Sequence, residues 1–177
     1  MTSGAPAPAV GRVHSLNVSG GGVPKRPVPE AYVTKEGLRG DMQRDLRYHG
    51  GPERAVSLFS VDVIERLRTE GHAISPGSTG ENVTVAGLDW TSVVPGARLE
   101  FDGGVVLEVA SYCVPCGKIR TSFADGTIHR INQEDHPGES RVYARVVVEG
   151  TLREGEAVRL RSPHSSSSVP GVQSCIV

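Results

Sequence analysis

The sequence has little that marks a secreted, membrane-spanning or nucleic-acid-binding protein. Its cysteines, Cys113, Cys116 and Cys175, are too few for the disulfide framework of a secreted domain. No apolar run approaches the roughly 20 residues that a transmembrane helix needs, and residues 1–10 lack the basic and apolar regions of a signal peptide. The net charge of −1 provides no basic surface for nucleic acid. We therefore predict a cytoplasmic protein that binds neither membranes nor nucleic acids.

The length and the distribution of small residues predict a single domain. A chain of 177 residues fits one domain with short extensions. We expect this domain to span 10–161, after a flexible N-terminus at 1–9. The segment 162–177 contains a serine run without hydrophobic periodicity, which predicts a disordered tail.

Glycine and proline divide the rest of the chain into short pieces, which is typical of a β-rich fold. One helix is expected at 60–70, where Ser60 can cap an apolar face. Asp102-Gly103 favours a hairpin turn, and the last two predicted strands are expected to pair around 150–155. The predicted strands are 12–18, 31–34, 55–59, 82–85, 97–101, 105–110, 141–149 and 157–161. Many strands and one helix predict a closed or half-closed β-barrel.

Cys113 and Cys116 follow the predicted strand 105–110 as a Cys-x-x-Cys pair. The thiolate is the reactive form of cysteine, and a nearby cation such as Lys118 favours it. The pair is compatible with half of a structural zinc site, with a redox disulfide, or with one functional thiol beside an incidental neighbour. A second cysteine pair and a βαβ setting, which the first two interpretations call for, are not found. The sequence therefore favours Cys116 as a single functional thiol and leaves the other two interpretations open.

Two glycine-containing segments are candidates for binding a ligand. The first contains His49-Gly50-Gly51, with Asp41, Arg47 and Arg54 around it. Glycine N–H groups can approach an anion closely, and His and Arg add donors, so this segment favours a phosphate. The second, Gly80-Glu81-Asn82, places a carboxylate beside a carboxamide that can pair with the edge of a heterocycle. Each is equally compatible with a tight turn that has no ligand.

These motifs occur in the same order as those of the MOSC family, named for the C-terminal domain of molybdenum-cofactor sulfurases. The matching segments are 37–41, Asp45, 49–52, 80–82, Pro115-Cys116, 136–138, 143–146 and 150–160. The resemblance covers about 10–160 and is closest to the short, stand-alone bacterial type. It implies a mainly β fold, barrel-like and similar to the pyruvate-kinase barrel, with one or a few short helices. It also implies one cysteine that binds the cofactor or carries sulfur, which maps to Cys116.

The resemblance implies a molybdenum–molybdopterin cofactor with Cys116 as metal ligand, and the reduction of N-hydroxylated compounds. Lys118 would tune the thiolate. The residues expected to bind the cofactor, with its pterin or the substrate at the last three, are Asp41, Arg47, His49, Gly50, Gly51, Arg54, Gly80, Glu81 and Asn82. No flavin, nicotinamide or Fe–S motif and no pyridoxal-phosphate domain is recognised, so we expect a separate electron donor.

The sequence departs from the family at position 113, where relatives often have arginine and this chain has Cys113. The departure removes a cation and favours an alternative, a sulfur carrier or sulfurtransferase. Cys116 would accept a persulfide from a cysteine desulfurase, and Cys113 would resolve it as a disulfide. In either case the substrate is a small molecule, unless the domain only binds a ligand without turning it over. An exposed edge strand near the proline-rich loop is compatible with a homodimer.

Overall fold

The structure is a computed structural model that describes residues 9–42 and 51–163. It contains one α-helix in these residues, α1 (Val61–Thr69). The strands are β1 (Val10–Val18), β2 (Arg26–Val28), β3 (Glu30–Thr34), β4 (Gly37–Leu38), β5 (Val56–Ser60), β6 (Val83–Ala86), β7 (Arg98–Phe101), β8 (Val106–Tyr112), β9 (Val142–Val148), β10 (Gly150–Arg153) and β11 (Ala157–Arg161). Short 3₁₀ turns lie at Pro52–Arg54, Trp90–Ser92, Gly117–Ser122, Ala124–Gly126 and Ile128–Ile131.

Seven of the described strands form a closed barrel, which confirms the predicted fold class. The order of neighbours is β11-β7-β8-β9-β5-β6-β1, and β1 pairs again with β11 to close the ring. Neighbouring strands run antiparallel except β5 and β6, which are parallel and joined through α1. β2 pairs with β1 beside the ring, and β10, β3 and β4 form a separate small sheet.

The parallel pair is the most deeply buried part of the barrel. Every residue of β5 is buried, because one face points into the barrel and α1 helps to cover the other. Leu58 and Phe59 are fully buried, and burial of such side chains stabilises a fold by about 1.5–3 kcal/mol each. Ser60 caps α1 as predicted, with its hydroxyl accepting a hydrogen bond from the Val63 amide at 3.3 Å.

One predicted pairing is wrong. The segments 141–149 and 157–161 do form strands, β9 and β11, but they do not pair with each other. β9 lies between β8 and β5, whereas β11 lies between β7 and β1. The connection expected to be their turn contains β10, which pairs with β3 instead. By contrast, the predicted hairpin at Asp102-Gly103 is found between β7 and β8.

Ion pairs cover the outer surface of β7, β8, β9 and β11. Arg161 donates to Glu100 at 2.9 Å, and Arg98 donates to Glu108 at 2.8 Å. Arg145 also binds Glu108, and Arg159 binds Asp102. These seven residues are called the outer-wall ion pairs below. Hydrogen bonding to Arg98 holds the pKa of Glu108 below its ordinary value.

The segment after Cys116 is fastened to α1 and to the loop that follows it. Arg130 donates to Glu70 at 2.7 Å and also binds Glu139. His72 accepts a hydrogen bond from the Ala124 amide at 3.1 Å. These contacts fix the turns at 117–131 against the barrel. None of the helices in the described residues is long and apolar enough to span a membrane.

The predicted ends of the domain are not tested. Residues 1–8 and 164–177, which include Cys175, lie outside the described residues. The boundary predictions at 1–9 and 162–177 therefore stay predictions.

Candidate ligand cavity around Cys116

A cavity of about 290 Å³ lies where four parts of the chain meet. Its walls come from the loop after β1, the start of β5, the turn at 79–82 and the segments that contain Cys116 and Arg141. The volume is near the lower end of the roughly 300–1,000 Å³ typical of small-molecule sites. The cavity can therefore hold a small ligand or one end of a larger one.

The two cysteines of the Cys-x-x-Cys pair lie in different environments. Cys116 is partly exposed and lines the cavity. Cys113 is only 2% exposed, is not part of the cavity wall, and its thiol hydrogen-bonds to Tyr143. Burial raises the pKa of the Cys113 thiol to about 11. The two thiols are free rather than joined in a disulfide, and the predicted catalytic role of Cys113 is not supported, because a desolvated thiol is a poor nucleophile.

Four cationic side chains line the cavity, and no carboxylate does among the described lining residues. The cations are Lys25, Arg54, Lys118 and Arg141. Lys118 was predicted to lie near Cys116, and Arg54 was predicted to bind a phosphate. The guanidinium of Arg54 also lies 5.7 Å from the centre of the Tyr143 ring. The described wall is therefore electropositive and suits an anionic ligand.

Arg141 is the most buried of these cations that has an unpaired donor. Its side chain is 7% exposed, and Nη1 donates to the Thr79 carbonyl. Its Nε is buried and has no hydrogen-bond partner among the described residues. A buried donor without an acceptor costs about 1–3 kcal/mol, so native structures rarely retain one without a reason. An anionic ligand in the adjoining cavity would provide that reason.

Lys25 is held on the cavity wall by Asp41. Its Nζ lies 2.5 Å from Asp41 Oδ2, and both side chains are largely buried. Asp41 also accepts from the Ser19 amide at 2.9 Å and from Asn82 Nδ2 at 2.8 Å. Burial lowers the pKa of Lys25, and the attraction to Asp41 opposes this shift. Asp41, predicted to bind the cofactor, is not part of the described wall and instead positions Lys25.

Glu81 has a different position from the predicted one. Its carboxylate is fully buried and absent from the described wall. It accepts hydrogen bonds from the Gly77 amide at 2.6 Å, from the Thr79 hydroxyl at 2.7 Å and from the Thr84 hydroxyl at 3.2 Å. A buried carboxylate needs such donors, because its charge has lost water. Glu81 therefore supports the turn that forms the wall and does not face a ligand.

The two neighbours of Glu81 do line the cavity. The Asn82 side chain accepts from the Ser57 amide at 3.1 Å and donates to Asp41. Its polar atoms are thus engaged by the protein, which leaves little capacity to read a heterocycle. Gly80 has φ +85°, and a Cβ there would lie 2.8 Å from the Val23 side chain. This wall position therefore requires glycine.

The predicted anion-binding segment is only partly described. Gly51 precedes the 3₁₀ turn Pro52–Arg54 and is not among the described wall residues. Arg47, His49 and Gly50 lie outside the described residues. Their predicted role in binding a phosphate stays a prediction.

The sequence analysis missed Lys25, Arg141 and Tyr143 as wall residues. Arg141 and Tyr143 belong to a segment interpreted only as a loop leading into a strand. Alternate residues of an extended chain point to the same side. The pattern Arg141-x-Tyr143 at the start of a predicted strand was therefore a signal that could have placed both on one wall.

A sequence profile of the MOSC domain matches residues 45–159. The chain belongs to the MOSC domain family. It is also similar to the YflK protein of Bacillus subtilis, with 32% identity over 143 residues. That match covers 80% of this chain and 63% of YflK, so the chain spans less than two thirds of the length of that relative.

Solved structures support the same MOSC fold. The YuaD protein of Bacillus subtilis has a TM-score of 0.68 at 19% identity, over 86% of this chain and 96% of YuaD. YiiM of Geobacillus stearothermophilus has a TM-score of 0.65 at 22% identity, over 86% of this chain and 75% of YiiM. YiiM of Escherichia coli has a TM-score of 0.62 at 23% identity, over 87% and 71%. At these identities the similarity concerns the fold.

Proposed function

We propose that this MOSC protein binds a molybdenum–pterin cofactor around Cys116 and reduces N-hydroxylated compounds with electrons from a separate donor. The observation that carries the proposal is an accessible thiol in a cavity lined by four cations. Membership of the MOSC family supports it, since the family is named for molybdenum-cofactor sulfurases.

The groups on the wall fit such a cofactor. Thiolate is a soft ligand suited to metals that are also bound by sulfur. Within residues 9–42 and 51–163, no cluster of three or more His, Cys, Asp or Glu side chains could hold a metal alone. A single protein ligand therefore suits a metal whose other ligands belong to the pterin. The bound cofactor supplies two-electron and oxygen-transfer chemistry.

The side chains of this chain would bind, orient and protonate the reactants. Arg54, Lys118 and Arg141 offer positive charge for the phosphate of the pterin. Lys25 Nζ, held by Asp41, can donate a proton that cleavage of an N–O bond consumes. An apolar part of the wall can cover an organic substrate and exclude water; it consists of Val23, Met42 and Ile119.

The test is metal retention. The wild type, Cys116→Ser and Cys113→Ser are purified from a host that makes molybdopterin, and molybdenum is measured by plasma mass spectrometry. We expect metal in the wild type and in Cys113→Ser, and its loss in Cys116→Ser. Equal molybdenum in Cys116→Ser and the wild type, or none in any of the three, would contradict the proposal. Reduction of benzamidoxime by the loaded wild type, with reduced methyl viologen as electron donor, tests the reaction.

Sulfur transfer is the second candidate, because an accessible thiol is also what a persulfide carrier needs. The raised pKa of buried Cys113 argues against its use as the resolving thiol, so Cys116 would act alone. Incubation with a cysteine desulfurase and cysteine should then add one sulfur to the mass of the wild type. The gain should be absent in Cys116→Ser and unchanged in Cys113→Ser.

A further inference from the structure

Arg141 is a buried cation that lacks a carboxylate partner within the described residues. The residue directly precedes β9, and its guanidinium lines the cavity. Its only printed hydrogen bond is from Nη1 to the Thr79 carbonyl, which is neutral. Its buried Nε has no partner in the part of the chain that is described. The charge and one donor of this side chain are therefore not satisfied by the described protein.

Arg141 lies opposite Cys113, the position where this chain departs from its relatives. Tyr112 pairs with Val142 across β8 and β9, and the Cys113 amide donates to the Arg141 carbonyl at 2.9 Å. The positive charge of Arg141 also acts on the Cys113 thiol. The cation that relatives often carry at position 113 is thus replaced by one from the facing segment.

A second cation can contact the same ligand. Lys118 lies on the wall beyond Cys116, is exposed, and has no carboxylate partner among the described residues. Lys25, by contrast, is paired with Asp41. The planar guanidinium presents several N–H donors in one plane, a geometry that matches the oxygens of a phosphate.

We propose that Arg141 anchors a phosphate monoester in the cavity, taking the place of the arginine that relatives carry at position 113. The proposal rests on the proposed function in treating the cavity as the ligand site. It does not require molybdenum, so the two can be tested separately.

The first test observes Arg141 in the wild type. The full chain, purified without molybdenum, is titrated with inorganic phosphate in a low-salt buffer, and the Arg141 Nε–H signal is followed by ¹⁵N NMR. We expect a saturable shift of this signal. Phosphate binding that leaves the Arg141 signal in place, or no binding at all, overturns the proposal.

The second test compares variants by calorimetry with inorganic phosphate. Arg141→Met should weaken binding by about tenfold or more, as loss of a charged hydrogen bond predicts. Arg141→Lys, which keeps the charge without the fork, should lie between the two. Arg161→Met on the outer wall is the control and should bind like the wild type. Wild-type affinity in Arg141→Met overturns the proposal.

Relocating the cation is the sharpest form of this test. Cys113→Arg combined with Arg141→Met restores the arrangement of the relatives and should recover part of the lost phosphate affinity. Circular dichroism checks that this double variant folds, and the wild-type NMR titration decides the question if it does not. No recovery in a folded double variant counts against the replacement of position 113.

A final comparison separates two sources of the phosphate. If the phosphate belongs to the cofactor, molybdenum-loaded wild type should no longer bind inorganic phosphate. If it belongs to a phosphorylated substrate, the loaded protein should bind it as before. Phosphate binding through Arg141 without molybdenum retention would support this inference and contradict the proposed function, and the reverse pattern would do the opposite.

Discussion

The outer surface of the barrel and the wall of its cavity treat positive charge differently. On the outside, Arg98, Arg145, Arg159 and Arg161 each contact a carboxylate of the outer-wall ion pairs. In the cavity, Lys118 and Arg141 have no carboxylate partner within the described residues, although Arg141 is far more buried.

The difference is opposite to what stability alone would favour. Exposed charges gain little from pairing, about 0–1 kcal/mol, whereas a buried charge needs compensation. A protein that compensates the cheap positions and not the expensive one retains the expensive one for a ligand. The barrel body is therefore complete by itself, and the cavity wall is complete only with an anion.

The largest expected contrast is between the two thiols, one of the body and one of the cavity. In a Cys175→Ser background at neutral pH, iodoacetamide should label Cys116 at least about a hundredfold faster than Cys113, because burial and a raised pKa suppress the Cys113 thiolate. Peptide mapping by mass spectrometry measures both rates. Comparable rates would mean that Cys113 is open to the cavity, and the contrast would fail.

Glu81 should contribute most to stability, because it is the buried acceptor behind the cavity wall. Glu81→Gln places an amide donor against N–H and O–H donors and should lower the free energy of unfolding by about 3 kcal/mol. Urea denaturation measures it. Glu65→Gln, on the exposed face of α1, is the control and should change stability by less than about 0.5 kcal/mol. An equal effect in both variants would contradict the support role of Glu81.

Glu108 tests the outer wall, where it binds both Arg98 and Arg145. Glu108→Gln should lower stability by about 1 kcal/mol at pH 7. Because the pKa of Glu108 is lowered in the folded protein, its contribution is present above the ordinary value of 4.5 and is lost as the pH falls through the lowered value. The difference between variant and wild type in urea denaturation should therefore vanish in acid. A difference that persists there would point to packing instead of charge.

Lys118 should have the smallest effect on stability. It is exposed and has no ion-pair partner among the described residues, so Lys118→Met should change the free energy of unfolding by less than about 0.5 kcal/mol. The same urea measurement checks this. A loss above about 1 kcal/mol would show that Lys118 belongs to the body and not to the ligand site.

Local patterns predicted most of the strands and the helix. Ser60, the apolar face of α1 and the Asp102-Gly103 turn each determine structure through near neighbours, so they are readable in the sequence. The pairing of β9 and β11 was not, because it depends on β10 finding β3 far away in the chain. The ring order is a property of long-range contacts.

The same limit applies to the cavity. The residue types at Cys116, Lys118 and Arg54 predicted a reactive thiol near cations, and these three do line one wall. Glu81 was misjudged because a sequence does not show whether a carboxylate beside a turn points outward or is consumed by its own backbone. Arg141 was overlooked because its importance comes from Cys113 on the facing strand.

The number of strands in the ring has a consequence for where the cavity lies. A closed ring with an odd number of members cannot alternate in direction all the way round, so somewhere two neighbours must run the same way. Here those neighbours are β5 and β6. Same-direction strands begin at the same edge, and the beginnings of these two, at Ser57 and Asn82, form part of the cavity wall. The break in alternation that arithmetic imposes on the barrel thus coincides with its pocket, and a ring with one more strand could close without it.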